Sequence, residues 1–333
     1  MRRIFITEEI QSFAEEYKTE LFSGHKRADF IKPEDGLRQL IDEITEKGNA
    51  WSKDWESYVK YLQAILDNYS EIITLHPSEF RPYKAQKFSM LNDGQLKSKE
   101  WGGAKNTVSF SDMILKVMHY SDARKELMPY FEKMGIRTCV YCNAQYANTV
   151  YDEDGCPVGG FELDHFYPKD AYPFLCISFF NLQPSCGVCN KWKGDKSCEF
   201  NLYTEDFTKI NPFEFSLDKQ SIIHYMLIQS PETLKILFNS SDPVLLQNYE
   251  ELFHTSLLYK NFGIEAEQIV WRSKINNSFF NDQLVKQFQK LFPGKSAEIN
   301  RFIYGFYTDK SDIHKQPLTK LKQDIARQLK LIK

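Results

Sequence analysis

The chain has 333 residues, 42% hydrophobic and 26% charged, with a formal net charge of −3. Such a composition belongs to a globular protein and excludes collagen, coiled coil and bulk disorder; the longest near-continuous apolar run, Phe174–Phe180, falls far short of the ~20 residues of a membrane span. No segment is strongly basic, so a grip on nucleic acid must come from a local patch, a metal site or a partner.

Residues 1–135 read as a helical N-terminal region. Met1-Arg2-Arg3 has the basic start of a signal peptide without the apolar stretch that should come after it, so a cytoplasmic location is expected. Leu37, Leu40, Ile41 and Ile44 form one helix face with Gly48 as its stop, and Trp55, Val59, Leu62, Ile65, Leu66 and Tyr69 form another. Pro77 and Pro82 are expected to break the chain after this second stripe. The polar, glycine-rich stretch 91–107 reads as a mobile loop. Helical pattern returns at Ser109–Met118 and Asp122–Lys133, ahead of Gly135.

Residues 136–205 change character, being rich in Cys, Gly, Pro and Asn with little periodicity. That composition suits a small metal-pinned fold. Residues 206–333 read as mixed and mostly helical. Ile222–Gln229 and Thr233–Phe238 are expected to be short strands, succeeded by helices through 244–260 and 265–292. A last helix opens at Pro317, with Leu318, Leu321, Ile325, Leu329 and Ile332 as its apolar stripe. Its lysines and arginine are expected to face solvent or a phosphate backbone. The fold class is therefore α+β, mainly helical.

All seven cysteines fall between Cys139 and Cys198. A secreted disulfide framework would spread across the chain, whereas a local cluster points to metal in a reducing compartment. Cys139-Val-Tyr-Cys142 and Cys186-Gly-Val-Cys189 are two CxxC pairs 43 residues apart. Each pair puts two thiolates on one tight turn, and two such knuckles complete a tetrahedral zinc site. A four-sulfur site is closed, so this zinc is expected to hold the fold and do no chemistry. Cys156, Cys176 and Cys198 are expected to pack as small apolar side chains.

Between the knuckles lie Glu162-Leu163-Asp164-His165-Phe166-Tyr167-Pro168 and Asn181-Leu182, and the second knuckle runs on into Asn190-Lys191-Trp192-Lys193-Gly194. In order and spacing these elements resemble the HNH, or ββα-metal, endonuclease family. The resemblance covers about 139–196. It implies a zinc-stapled ββα module with His165 as general base and Asp164 as a ligand to a catalytic ion. It further implies that Asn181 fixes the loop and orients the base, and that Asn190 is the second ligand. Asp plus Asn is an all-oxygen set, which suits Mg²⁺ or Mn²⁺ better than zinc. The alternative reading makes Asn181 a turn or cap residue and Asn190 a cap of the helix that starts near Cys189. Lys193 reads as a phosphate contact or a solvated lysine. The remaining histidines lack ligand spacing.

The expected activity is metal-dependent hydrolysis of phosphodiester bonds in DNA. The flanks look loosely like those of bacterial HNH proteins, among them the Septu-type phage-defence proteins, in which an HNH protein is paired with an ATPase. That comparison implies a defence role and a partner ATPase; a homodimer would turn two nicks into a double-strand break. The alternatives are an RNase with the same centre, or a non-catalytic zinc module binding nucleic acid or protein.

Overall fold

The computed structural model describes residues 1–333 apart from 25–28, 102–103, 106, 276–277 and 333. The described part is mainly helical, with small two-stranded sheets. Among the described residues no helix is long and apolar enough to cross a membrane.

The N-terminal helices form where the apolar spacing places them. Pro33–Lys47 buries Leu37, Leu40 and Ile44 and ends at Gly48, whose φ of +48° favours glycine. Trp55–Asp67 packs against it through Tyr58, Leu62 and Ile65. Pro82 does not break structure: it sits in the first turn of the helix Phe80–Lys87, where its missing N–H has no intrahelical partner to lose. The stretch expected as a mobile loop carries the helix Asp93–Lys97, closed by a reciprocal Asn92–Gln95 cap, and a short hairpin, Glu100–Trp101 with Ala104–Lys105. Trp101 stacks on Trp51 at 4.4 Å. The loop expectation at 102–103 and 106 lies outside the described residues. Ser109 and Asp112 cap Phe110–Val117, and Tyr120–Lys133 comes next.

Two corrections fall in the C-terminal third. Ile222–Gln229 is not a strand but belongs to the helix Lys219–Ile228, started by Asp218, whose carboxylate accepts from the Ser221 N–H. Ile236–Ser240 instead pairs antiparallel with Phe213–Leu217. The terminal helix, Thr319–Gln328, is neither solvated nor free to lie on phosphate. It packs across the Phe213–Leu217 strand, where Asp324 accepts from the Phe215 N–H at 2.9 Å and Gln328 from the Leu217 N–H at 2.7 Å. Lys320 is buried in an ion pair with Asp324.

Both ends of the chain brace the middle. Ile4–Phe5 pairs in parallel with Tyr203–Thr204. The Tyr259 hydroxyl donates to the Cys142 carbonyl at 2.6 Å, and the Tyr249 hydroxyl donates to the Tyr141 carbonyl. Asn143, at φ +50°, accepts at its carbonyl from the Leu318 N–H and at its side chain from the Lys320 N–H. One continuous hydrophobic core runs through these contacts.

Candidate active site

The site is built on a hairpin and a helix. Glu162–His165 pairs antiparallel with Leu182–Ser185, placing Asp164 opposite Gln183 and His165 opposite Leu182. The chain then turns directly into Gly187–Lys193, with Cys186 as the helix cap. This is the strand–strand–helix order that the motif implied.

The four cysteines of the two knuckles come together. Their sulfurs lie within 4.8 Å of one another, and Cys142 and Cys186 are 4.0 Å apart. Four sulfurs bound at about 2.3 Å to one ion would stand about 3.8 Å apart, so the tetrad can hold a structural metal such as zinc after a small contraction. The Ala144 and Cys189 N–H groups donate to Cys142 and Cys186, as suits thiolates. Cys176 and Cys198 are buried away from the tetrad, as their apolar reading requires. Cys156 is not: it is exposed in the turn of the Val150–Tyr151/Pro157–Gly159 hairpin.

Asp164 and His165 point to opposite faces of their strand, a consequence of its period of two. Asp164 turns toward the first knuckle and the site helix. It is 5% exposed, and both of its oxygens are taken. The Lys193 ammonium lies 3.1 Å from Oδ1 and 3.0 Å from Oδ2, and the Tyr141 hydroxyl donates to Oδ2. Burial pushes the Asp164 carboxyl above its usual value, against the pull of Lys193 and Tyr141. Lys193 is fully buried and also donates to the His165 carbonyl at 2.6 Å, so it is neither the solvated lysine nor, in this arrangement, an exposed phosphate contact. Gln183 completes the network by donating to the Tyr141 hydroxyl and accepting from the Leu202 N–H.

His165 turns the other way, with its ring 4.8 Å from that of Tyr120. Its Nε2 lies 3.1 Å from the Cys176 carbonyl. A carbonyl only accepts, so Nε2 carries the proton and Nδ1 keeps its lone pair. Among the described residues Nδ1 has no hydrogen-bond partner, and the residue as a whole is 7% exposed. Burial pushes the imidazole down to about 3, helped by Lys169, Lys193 and Arg124 nearby, so the ring is neutral at neutral pH.

Asn181 is fully buried. Its amide donates to the Tyr167 and Leu175 carbonyls and its oxygen accepts from the Tyr167 N–H, tying both ends of the 167–175 loop to the hairpin. The Cys176 carbonyl that holds His165 is the next residue along. Asn190 is half-buried, three residues before Lys193 and therefore on the same helix face. Among the described residues, no hydrogen bond or ion pair joins the His165 ring, the Asp164 carboxylate and the Asn190 amide to one another. The other described histidines lie elsewhere, as with His76 beside Glu205 and His314 bonded to the Arg2 carbonyl; His25 lies outside the described residues.

Sequence reasoning missed Tyr141, Gln183, Tyr120, Arg124 and Lys169. Tyr141 carried a signal, being one of the two residues inside the first knuckle, whose turn fixes where its side chain goes.

The match to a curated relative is partial. The chain is 40% identical over 62 residues to the Septu protein PtuB of Bacillus thuringiensis, a stretch covering 19% of this chain and 21% of that protein. The similarity thus spans about a fifth of either length. No family model matches the chain, and no solved structure matches it.

Proposed function

We propose that this chain is a metal-dependent HNH endonuclease that hydrolyses phosphodiester bonds in DNA and serves in phage defence beside a partner protein, an ATPase by the resemblance. The observation that carries the chemistry is the His165 imidazole: it is neutral, anchored through Nε2 on the Cys176 carbonyl, and unpaired at Nδ1 among the described residues. The partial likeness to the Septu protein PtuB supports the defence role.

Each residue takes a distinct share of the work. Nδ1 of His165 takes the proton of the attacking water. The Nε2–H bond to Cys176 keeps the ring aimed while it gains that proton. Asn181 holds the loop that carries this carbonyl. A pKa so far below neutrality makes a weak base, but an anionic phosphate beside the ring favours the imidazolium and restores basicity. Asp164 and Asn190 would be the oxygen donors for Mg²⁺ or Mn²⁺, an ion that would supply stabilisation of charge on the scissile phosphate and the leaving oxygen. As the structure stands Lys193 and Tyr141 hold both Asp164 oxygens, so this donor set takes a divalent ion only when Lys193 gives up the carboxylate, since a buried carboxylate keeps one cation or the other. Cleavage would leave a 5′ phosphate and a 3′ hydroxyl.

The Lys193–Asp164 pair also favours a second reading, a zinc module without catalysis in which that pair is structural. Two experiments separate them. Supercoiled plasmid incubated with Mg²⁺ or Mn²⁺ should be nicked by the parent and not after EDTA; intact plasmid under every condition, with and without the partner, would leave the binding module as the answer. Lys193→Met should lower stability by about 3–5 kcal/mol, because it strands a buried carboxylate. Mn²⁺ should then raise the melting temperature of the variant more than that of the parent. A variant indifferent to Mn²⁺ removes Asp164 from the ligand set.

A further inference from the structure

The helix Tyr120–Lys133 covers the His165 face of the site strand. Tyr120 fixes the register: its hydroxyl donates to the Leu163 carbonyl at 3.3 Å while its ring lies against His165. Arg124 is one turn further along the same helix face, and its guanidinium stands 3.8 Å from Glu162. Lys169, on the loop after the strand, brings its ammonium to 5.9 Å from the centre of the Tyr120 ring. Both cations are half-buried, Lys169 close to the Tyr120 ring that lies against His165 and Arg124 one turn along the same helix. Beside Arg124 a groove of about 460 Å³ continues past Gln145, Tyr146, Gly160 and Gly187. On a chain of net charge −3, two half-buried cations gathered about the helix that covers His165 are a local concentration of positive charge.

We propose that Arg124 and Lys169 bind the phosphodiester backbone of DNA next to His165, with the groove beside Arg124 receiving the strand as it leaves the site. The inference rests on the endonuclease reading and adds the residues that hold its substrate. Arg124 presents a fork suited to phosphate oxygens, and Lys169 a point charge. Glu162 is the competing anion. Its pair with Arg124 is loose and partly solvated, so an arriving phosphate displaces it at little cost.

The test measures binding of a fluorescein-labelled duplex by anisotropy across a salt series, in the His165→Ala background to prevent cleavage. Plasmid nicking by the otherwise unaltered protein is monitored in parallel. Arg124→Ala and Lys169→Ala should each weaken binding about three- to ten-fold and reduce the salt slope by about one, as loss of one phosphate contact does. Glu162→Gln should shift affinity the opposite way, tightening binding, with melting temperatures near the parent value in all three. Unchanged affinity and slope in both cation variants, with plasmid still nicked by the parent, overturns this inference and leaves the endonuclease standing. A Glu162→Gln variant that weakens binding like Arg124→Ala also overturns it, because the pair would then act only through the fold. A parent that neither binds nor nicks DNA fails the underlying reading and this one with it.

Discussion

Cys142→Ser, or Cys186→Ser, should yield protein that is insoluble or lacks cooperative unfolding, with its zinc lost. Magnitudes decide this. A tetrathiolate zinc site contributes about 10–16 kcal/mol of apparent binding free energy, and that energy is available only to the folded chain. A domain's whole net stability is about 5–15 kcal/mol. Among the described residues the tetrad also has no local substitute. The knuckle between Cys139 and Cys142 presents the carbonyls on which Tyr249 and Tyr259 close, so the C-terminal helices lose their anchor with it. Tyr141 would lose its place against Asp164, and the site strand its partner. Treating the parent with a strong chelator should produce the same collapse, read by circular dichroism and metal content. Cys156→Ser is the control: that thiol is exposed and outside the tetrad, and the variant should match the parent. A soluble, cooperatively folding Cys142→Ser protein would show that the flanking core carries the fold unaided.

What could be read in the sequence depended on how local the cause was. The knuckles were legible because two cysteines three apart share one turn whatever surrounds them. The Asp-His strand and the Asn-Leu strand were legible because the motif fixes their order. The Asp164–Tyr141 contact was not: it joins residues 23 apart, and nothing in either segment declares it. Lys193 was misjudged because spacing cannot tell a solvated ammonium from a buried one; its burial depends on the carboxylate opposite. The terminal helix failed similarly. Lys320 and Asp324 stand four apart, an ion pair the sequence does offer, but their burial comes from the Phe213–Leu217 strand underneath. At Ile222–Gln229 the deciding signal was the neighbouring Asp218 cap, and the apolar run itself was ambiguous.

Where a charge was misread, its burial was set by a segment far away in sequence: Asp164 for Lys193, and the Phe213–Leu217 strand for Lys320 and Asp324. The middle of this molecule is not a module that the flanks merely surround. Its knuckle and its general-base candidate each take a partner from outside the hairpin and helix: Lys320 meets Asn143, Tyr249 meets Tyr141, and Tyr120 meets His165.

His165→Ala should abolish nicking, with a fall of about 10²–10⁴-fold expected for loss of a general base. Duplex binding and zinc content should stay close to the parent's. The substitution leaves the Cys176 carbonyl without its donor, which costs about 1–3 kcal/mol if water does not replace it, so the melting temperature should drop modestly. His165→Asn addresses that drop, since an amide can donate but cannot take a proton from water at neutral pH. If the imidazole acts only as a strut for the loop, the asparagine variant should recover activity along with stability. If it acts as the base, the asparagine variant should recover stability alone and remain inactive. Parent-like nicking by the alanine variant would strip His165 of the role, and with it the assignment of the reaction to this face of the strand.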